Sequence, residues 1–144
     1  YTTNIVTLSR TLALIKPDAF DRNLSGKIIE HALDSGLRII TIKSVILNKK
    51  QVESFYDVHK DRPFFSSLVK YMTSSTTVAM VLEGPNAVDH WRRIMGATNP
   101  AEALEGTIRK QFGESVERNC CHGSDSNDNA LKEIGFFFNR RELL

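Results

Sequence analysis

Apolar residues recur along this chain with two different periods, and the switches between them mark its elements. Thr11 to Lys16 (TLALIK) is a short apolar run stopped by Pro17 and Asp18, the pattern of a buried strand. From Ser25 to Leu33, the apolar positions Ile28, Ile29, Ala32 and Leu33 fall at helical spacing, and Gly36 stands where a C-cap is needed. Arg38 to Leu47, rich in isoleucine and valine, predicts a second strand. Lys49 to His59 is amphipathic, with Val52, Phe55 and Tyr56 on one helical face, and Phe64 to Met72 follows Arg62-Pro63 as a further helix. Thr76 to Leu82 predicts a third strand, ended by Glu83-Gly84-Pro85-Asn86, and Ala87 to Met95 a helix that stops at Gly96. Thr98 to Ser115 contains Pro100, Gly106 and Gly113 and reads as mostly irregular; a loop of that length in a compact domain is usually functional. A short fourth strand is expected to end near His122, and Asn127 to Phe138 closes the chain as a helix.

This order makes two β-α-β units. The fold class it predicts is α+β, a ferredoxin-like βαββαβ arrangement with a four-stranded antiparallel sheet and helices packed on it. The expected organisation is an N-terminal extension over residues 1–9 and one domain over residues 10–144.

Composition narrows the function classes. At 144 residues, 41% hydrophobic and 25% charged, the chain has the make-up of a globular domain with a real core. A net charge of +2 is too small for a nucleic-acid groove, so cations must act by position and no nucleic-acid partner is expected. No apolar run approaches membrane-spanning length, and Tyr1 to Arg10 lacks the layout of a secretory signal, so no membrane partner is expected. The first residue is not Met, consistent with a processed or trimmed start. Cys120 and Cys121 are adjacent, where a disulfide is strained, which points to a reduced, cytoplasmic setting. The histidines and cysteines show no zinc-type spacing.

Candidate chemistry starts from an absence. Gly26-Lys27 is not set in a Gly-x-x-x-x-Gly-Lys-[Ser/Thr] loop, and there is no Gly-x-Gly-x-x-Gly, so phosphate binding would have to come from side chains. Gly26 is expected to permit close packing at a helix start. The most informative segment is His122-Gly123-Ser124-Asp125-Ser126, a histidine beside a glycine, two hydroxyls and a carboxylate just before a helix. Ser124 to Asn127 is also a good N-cap cluster, and capping alone accounts for its polarity. Glu133, on the following helix, either faces solvent or reaches back to fix the imidazole tautomer. Lys16 sits at a strand end, where ligands tend to bind, or else pairs with Asp18. Arg92 and Arg109 are either solvated surface charges or phosphate ligands. Of Phe64 and Phe65, one is expected in the core and the other offers a face for base stacking.

Several segments together resemble the nucleoside diphosphate kinase family: Thr11-Leu-Ala-Leu-Ile-Lys-Pro-Asp18, Lys60-Asp-Arg-Pro-Phe-Phe65, Gly96-Ala-Thr-Asn-Pro100, Gly106-Thr-Ile-Arg109 and His122-Gly-Ser-Asp-Ser126. The resemblance covers about residues 10 to 144. It implies that His122 is transiently phosphorylated and that Ser124 and Glu133 support it. Lys16, Tyr56, Arg92, Thr98, Arg109 and Asn119 match positions that contact phosphates, ribose or the phosphorylated histidine. Phe64 and Val116 match the two sides of a base slot, with Leu68 close by. Mg²⁺ is the implied cofactor, held mainly by the nucleotide phosphates, with no protein metal ligands. Nucleoside di- and triphosphates are the implied partners, and the implied assembly is a homo-oligomer, a hexamer or tetramer built from dimers. Ala19 stands where many members have glycine, and Ala97 where animal members commonly have an acidic residue; both are similar to bacterial members.

The implied activity is transfer of a γ-phosphoryl group from a nucleoside triphosphate to a nucleoside diphosphate through a phosphohistidine, with ping-pong kinetics and broad base specificity. Two rivals are a nucleic-acid binder on the same fold and an inactive kinase-like scaffold. The first lacks an aromatic-rich strand face, and the second would have lost catalytic positions that are all present here.

Overall fold

The computed structural model describes residues 7–144. Its elements are β1 (Leu8–Ile15), α1 (Pro17–Asp21), α2 (Ser25–Asp34), β2 (Arg38–Val45), α3 (Lys49–Phe55), α4 (Phe65–Met72), β3 (Thr77–Pro85), α5 (Ala87–Met95), α6 (Ile108–Phe112), β4 (Cys121–Gly123) and α7 (Asn127–Phe137). Short 3-10 turns follow α3, α5 and α7. The sheet order is β2-β3-β1-β4 with every neighbouring pair antiparallel, the ferredoxin-like arrangement expected.

β1 lies inside the sheet with both its faces covered, and its second half, Leu12 to Ile15, is continuously apolar. Alternation still sorts the side chains. Ala13 and Ile15 face one core with Ile28, Met80, Leu82, Trp91 and Met95, beneath α2 and α5. Leu12 and Leu14 face the other core with Val52, Leu68, Met72, Val81, Ile134 and Phe137, beneath α3, α4 and α7. β4 pairs with β1 through Ala13–Gly123, Leu14–His122 and Ile15–Cys121. That register puts His122 on the α3–α7 side and Gly123 against α5. A Cβ on Gly123 would lie 2.6 Å from both Met95 Cε and Trp91 Cδ1, so only glycine allows this approach. Trp91 then donates its Nε1–H to the His122 carbonyl at 3.2 Å, tying the strand that carries the histidine to α5.

Several boundaries differ from the sequence reading. β1 starts three residues before Thr11, because Ser9 and Arg10 pair opposite Gly84 and Glu83 and Arg10 forms an ion pair with Glu83 at 3.0 Å. That pairing also carries β3 through Pro85, past its expected end at Leu82. The expected extension over residues 1–9 therefore gives up Leu8 and Ser9 to β1, and its first six residues lie outside the described residues. The expected helix 49–59 ends at Phe55 and continues as a 3-10 turn over Asp57–His59. Pro17 does not only stop β1; it opens α1, since proline is well placed at the first helical position. The stretch 98–115 holds α6, whose Thr107 N-cap accepts from the Lys110 N–H. Nothing lies within 4 Å of a Cβ built on Gly26, so this glycine permits no close approach, contrary to expectation.

Candidate active site

An open cleft of about 1590 Å³ runs between the loop before β4, the end of α5 and the α3–α4 pair. Lys16, Tyr56, Phe64, Leu68, Arg92, Thr98, Arg109, Val116, Asn119, His122 and Glu133 all line it. Of the site residues that the family resemblance implies, Ser124 alone does not; it is fully buried behind the histidine.

His122 Nε2 lies 2.9 Å from Glu133 Oε1, and Ser124 donates to the same oxygen at 2.7 Å. A carboxylate only accepts, so the network assigns the proton to Nε2 and leaves the lone pair on Nδ1. Glu133 reaches back to the ring from α7, and the solvent-facing alternative is not adopted. Its side chain is 21% exposed and that of His122 19%, enough for a substrate to reach the ring. Ser126 supplies the N-cap of α7 by accepting from Asn129 N–H at 3.1 Å. Asp125 is held by the Asn129 amide, which keeps its carboxyl below the usual range. Asp125 and Ser126 thus serve the turn and helix start.

The backbone ahead of β4 is clamped from both sides. Cys120 has φ +75°, a left-handed conformation that costs a non-glycine residue roughly 1–2 kcal/mol. Its N–H donates to Asp18 Oδ2 at 3.2 Å, and its carbonyl accepts from Lys16 N–H at 2.8 Å. Arg109 donates to three carbonyls: Asn119 at 3.3 Å, Gly96 at 3.0 Å and Cys121 at 2.8 Å. These use three of the five guanidinium N–H groups and leave two for a ligand. Gly96 meets this demand with φ +88° and with no Cβ to strike Thr107 Oγ1 at 2.5 Å.

Asp18 does not make the ion pair with Lys16 that the sequence allowed. It is buried, and the Tyr71 hydroxyl donates to its other oxygen. Removing an acceptor for a buried N–H costs about 1–3 kcal/mol, more when the acceptor is charged, and here a left-handed residue is released as well. Asp18→Ala should therefore lower unfolding stability by about 3 kcal/mol, read from the urea midpoint at unchanged m-value. A shift within 0.5 kcal/mol (the usual surface-substitution range) would contradict this role.

Lys16 Nζ donates to Asn119 Oδ1 at 2.9 Å, and Asn119 Nδ2 donates to the Thr98 carbonyl at 3.0 Å. Burial, and next the positive charge of Arg109, push the lysine pKa down from 10.5 to about 8. The unfolded chain holds this proton up to 10.5, so it binds more protons than the folded one between about 8 and 10.5, and this group's stability contribution rises with pH there. For an anionic ligand the sign reverses. The cation is lost as pH rises through about 8, so kcat/KM for a phosphate-bearing substrate should fall there. A flat profile to pH 10 would remove Lys16 from the binding account.

Arg92 is exposed at the end of α5 and makes no ion pair among the described residues. Tyr56 is buried and its hydroxyl has no hydrogen-bond partner there; burial, then Glu133, push its pKa up, so it stays a neutral phenol. Phe64 is 47% exposed and Val116 55%, both lining the cleft, while Phe65 packs on the core. Burial raises Cys120 to about 12 and Cys121 to about 11, so both thiols stay protonated and out of contact with solvent. Sequence reasoning missed Phe55 and Phe136, which line the cleft beside the histidine. The available signal was the helical spacing of Phe136 three residues after Glu133.

An accessible histidine with one free ring nitrogen, in a cleft lined by lysine, arginines and exposed apolar faces, defines a class. It is that of group-transfer enzymes that act on anionic, aromatic-bearing substrates. Residues 9–143 match the family model described as nucleoside diphosphate kinase. The nucleoside diphosphate kinase of Nitratiruptor sp. is 56% identical over 137 residues, which is 95% of this chain and 100% of that one. That of Oleidesulfovibrio alaskensis is 55% identical over 134 residues, 93% of this chain and 96% of the relative. The crystal structure of the Aquifex aeolicus nucleoside diphosphate kinase superposes with a TM-score of 0.93 at 38% identity, covering 96% of this chain and all of that one. The chain belongs to the nucleoside diphosphate kinase family.

Proposed function

We infer that this protein transfers the γ-phosphoryl group of a nucleoside triphosphate to a nucleoside diphosphate, with His122 as the intermediate carrier. The observation that carries this reading is the hydrogen bond from His122 Nε2 to Glu133, which leaves Nδ1 without a protein partner on a histidine that shares its cleft with Lys16, Arg92 and Arg109. Nδ1 attacks the γ-phosphorus, the bond to the β-γ bridging oxygen breaks, and the diphosphate leaves. A second diphosphate then takes the group from Nδ1 by the reverse path. A labile P–N bond suits a carrier whose donor and acceptor bonds are nearly equal in energy; a serine ester would trap the group. The transition state is loose, so the protein's task is to position the group and neutralise the equatorial oxygens. Lys16, Arg92 and the two free N–H groups of Arg109 suit that work, with Thr98, Asn119 and Tyr56 placed around them.

Phe64 and Val116, with Leu68 close by, offer apolar faces and no base-edge donors, which fits stacking of any base. Mg²⁺ would come with this substrate and would supply charge neutralisation along the phosphates. No cluster of three His, Cys, Asp or Glu that could hold a metal ion stands among the described residues, and the phosphate oxygens of the nucleotide would hold the ion. No helix of the described residues is long and apolar enough to cross a membrane. A cytoplasmic location and a homo-oligomer built from dimers belong to the same reading.

Initial rates measured against both nucleotides should give parallel double-reciprocal lines, the signature of a ping-pong carrier. Purine and pyrimidine diphosphates should differ in kcat/KM by no more than about 100-fold, since the side chains of Phe64, Leu68 and Val116 present no polar atoms to leave unpaired. Intersecting lines, or rejection of all but one base, would contradict the proposal.

A further inference from the structure

We propose that Phe55 is a specificity-determining residue of the carrier: its ring covers one side of the His122 imidazole and excludes water there, so that a phosphoryl group held on the ring passes to a nucleotide in preference to solvent. This rests on the reading of His122 as the carrier given above. Phe55 ends α3, and its ring packs on four others. The centroids lie 4.9 Å from Tyr56, 5.3 Å from Phe136, 5.3 Å from Phe137 and 5.4 Å from His122 itself, inclined 69° to the imidazole. Tyr56 meets the imidazole at 6.2 Å and 87°. Phe55 thus joins α3 to α7 beside the histidine, where it lines the cleft and offers no hydrogen-bonding atom.

A ping-pong carrier must wait between substrates, and water is always present. In the competing step a water oxygen bonds to phosphorus, and the P–N bond breaks with its electron pair returning to Nδ1. Both water protons leave with inorganic phosphate, as dihydrogen phosphate, and Nδ1 regains its lone pair. A water stays at such a site only with room and two to four polar partners. Partners exist here: the Glu133 carboxylate, and the buried Tyr56 hydroxyl that has none of its own among the described residues. Room is what Phe55 removes. A void left by truncating it would adjoin the open cleft and these polar groups, so it would fill with water instead of staying dry.

The test compares two fates of one intermediate. Wild type, Phe55→Ala, Phe55→Leu and Phe55→Tyr are loaded with γ-labelled nucleoside triphosphate and freed of nucleotide. Each is then split between plain buffer and buffer with nucleoside diphosphate. The rate of phosphate release to water, divided by the rate of transfer to the diphosphate, should rise about tenfold in Phe55→Ala, equivalent to about 1.4 kcal/mol. Phe55→Leu should rise less, and Phe55→Tyr, which keeps the ring, should match wild type. A purely structural role would reduce the active fraction and leave this ratio unmoved. Should Phe55→Ala not fold, Phe55→Leu decides. A ratio unchanged in the Ala and Leu variants overturns the proposal alone; absence of phosphoenzyme in wild type overturns the carrier reading and this proposal with it.

Discussion

His122→Ala should lose phosphoryl transfer altogether, a fall on the order of 10⁵-fold or more, as expected when the nucleophile of a covalent mechanism is removed. The size follows from the lack of a substitute. Ser124 is fully buried and spends its proton on Glu133. Cys120 and Cys121 are buried and held as thiols by desolvation. Tyr56 is held as a phenol, and Lys16 is engaged with Asn119. The fold should tolerate the change. β4 is held through its backbone to β1, and the Trp91 bond goes to the residue's carbonyl, which alanine keeps. Glu133 keeps Ser124 as a donor. A coupled assay on purified variant, with circular dichroism alongside, separates the two effects.

Arg109→Ala should lower kcat/KM about 10³-fold, the lower end of what an arginine supplies to phosphoryl transfer. It should also cost about 3 kcal/mol of stability, because three carbonyls lose a charged donor at once and such bonds are worth about 1.5–3 kcal/mol each but do not add. The joint loss distinguishes this residue from Arg92, whose exposed side chain holds no ion pair among the described residues and whose replacement should affect substrate handling alone. Arg109→Lys should rescue neither property, since one ammonium cannot reach Asn119, Gly96 and Cys121 in the fork geometry that the guanidinium uses. Full stability in Arg109→Ala, from urea unfolding, would contradict the clamp; full activity would contradict the phosphate role.

The parts of the fold legible in sequence were those where burial imposes a period. α2 and α5 announced themselves by helical spacing, and β1 by a continuous apolar run that only a doubly covered strand requires. The elements misjudged are those whose cause is a distant partner. Arg10 and Glu83 extend β1 and β3 beyond their apolar stretches by pairing across the sheet, which no local pattern records. α6, five residues long, is fixed by a capping threonine and by the arginine that it carries inward. The site residues were legible as residue types in ordered segments, and the structure brings them to one cleft. Their bonds were not. Lys16 and Asp18, two apart in sequence, point to different partners, Asn119 and Tyr71. Arg109 reads as a solvated charge or a phosphate ligand until its three carbonyls are seen. Phe55 reads as core because its helical face is apolar; that the face meets an imidazole depends on how α3 and α7 close over β4.

The central claim is that His122 itself carries the phosphoryl group. Its most direct test is brief exposure to γ-labelled nucleoside triphosphate, alkaline denaturation to preserve a P–N bond, and mapping of the labelled peptide. The account predicts label on the peptide containing His122, lost in acid, stable in base, and discharged by adding a nucleoside diphosphate before the quench. Label on another residue, or rapid transfer between nucleotides with no labelled protein at any time, would contradict it.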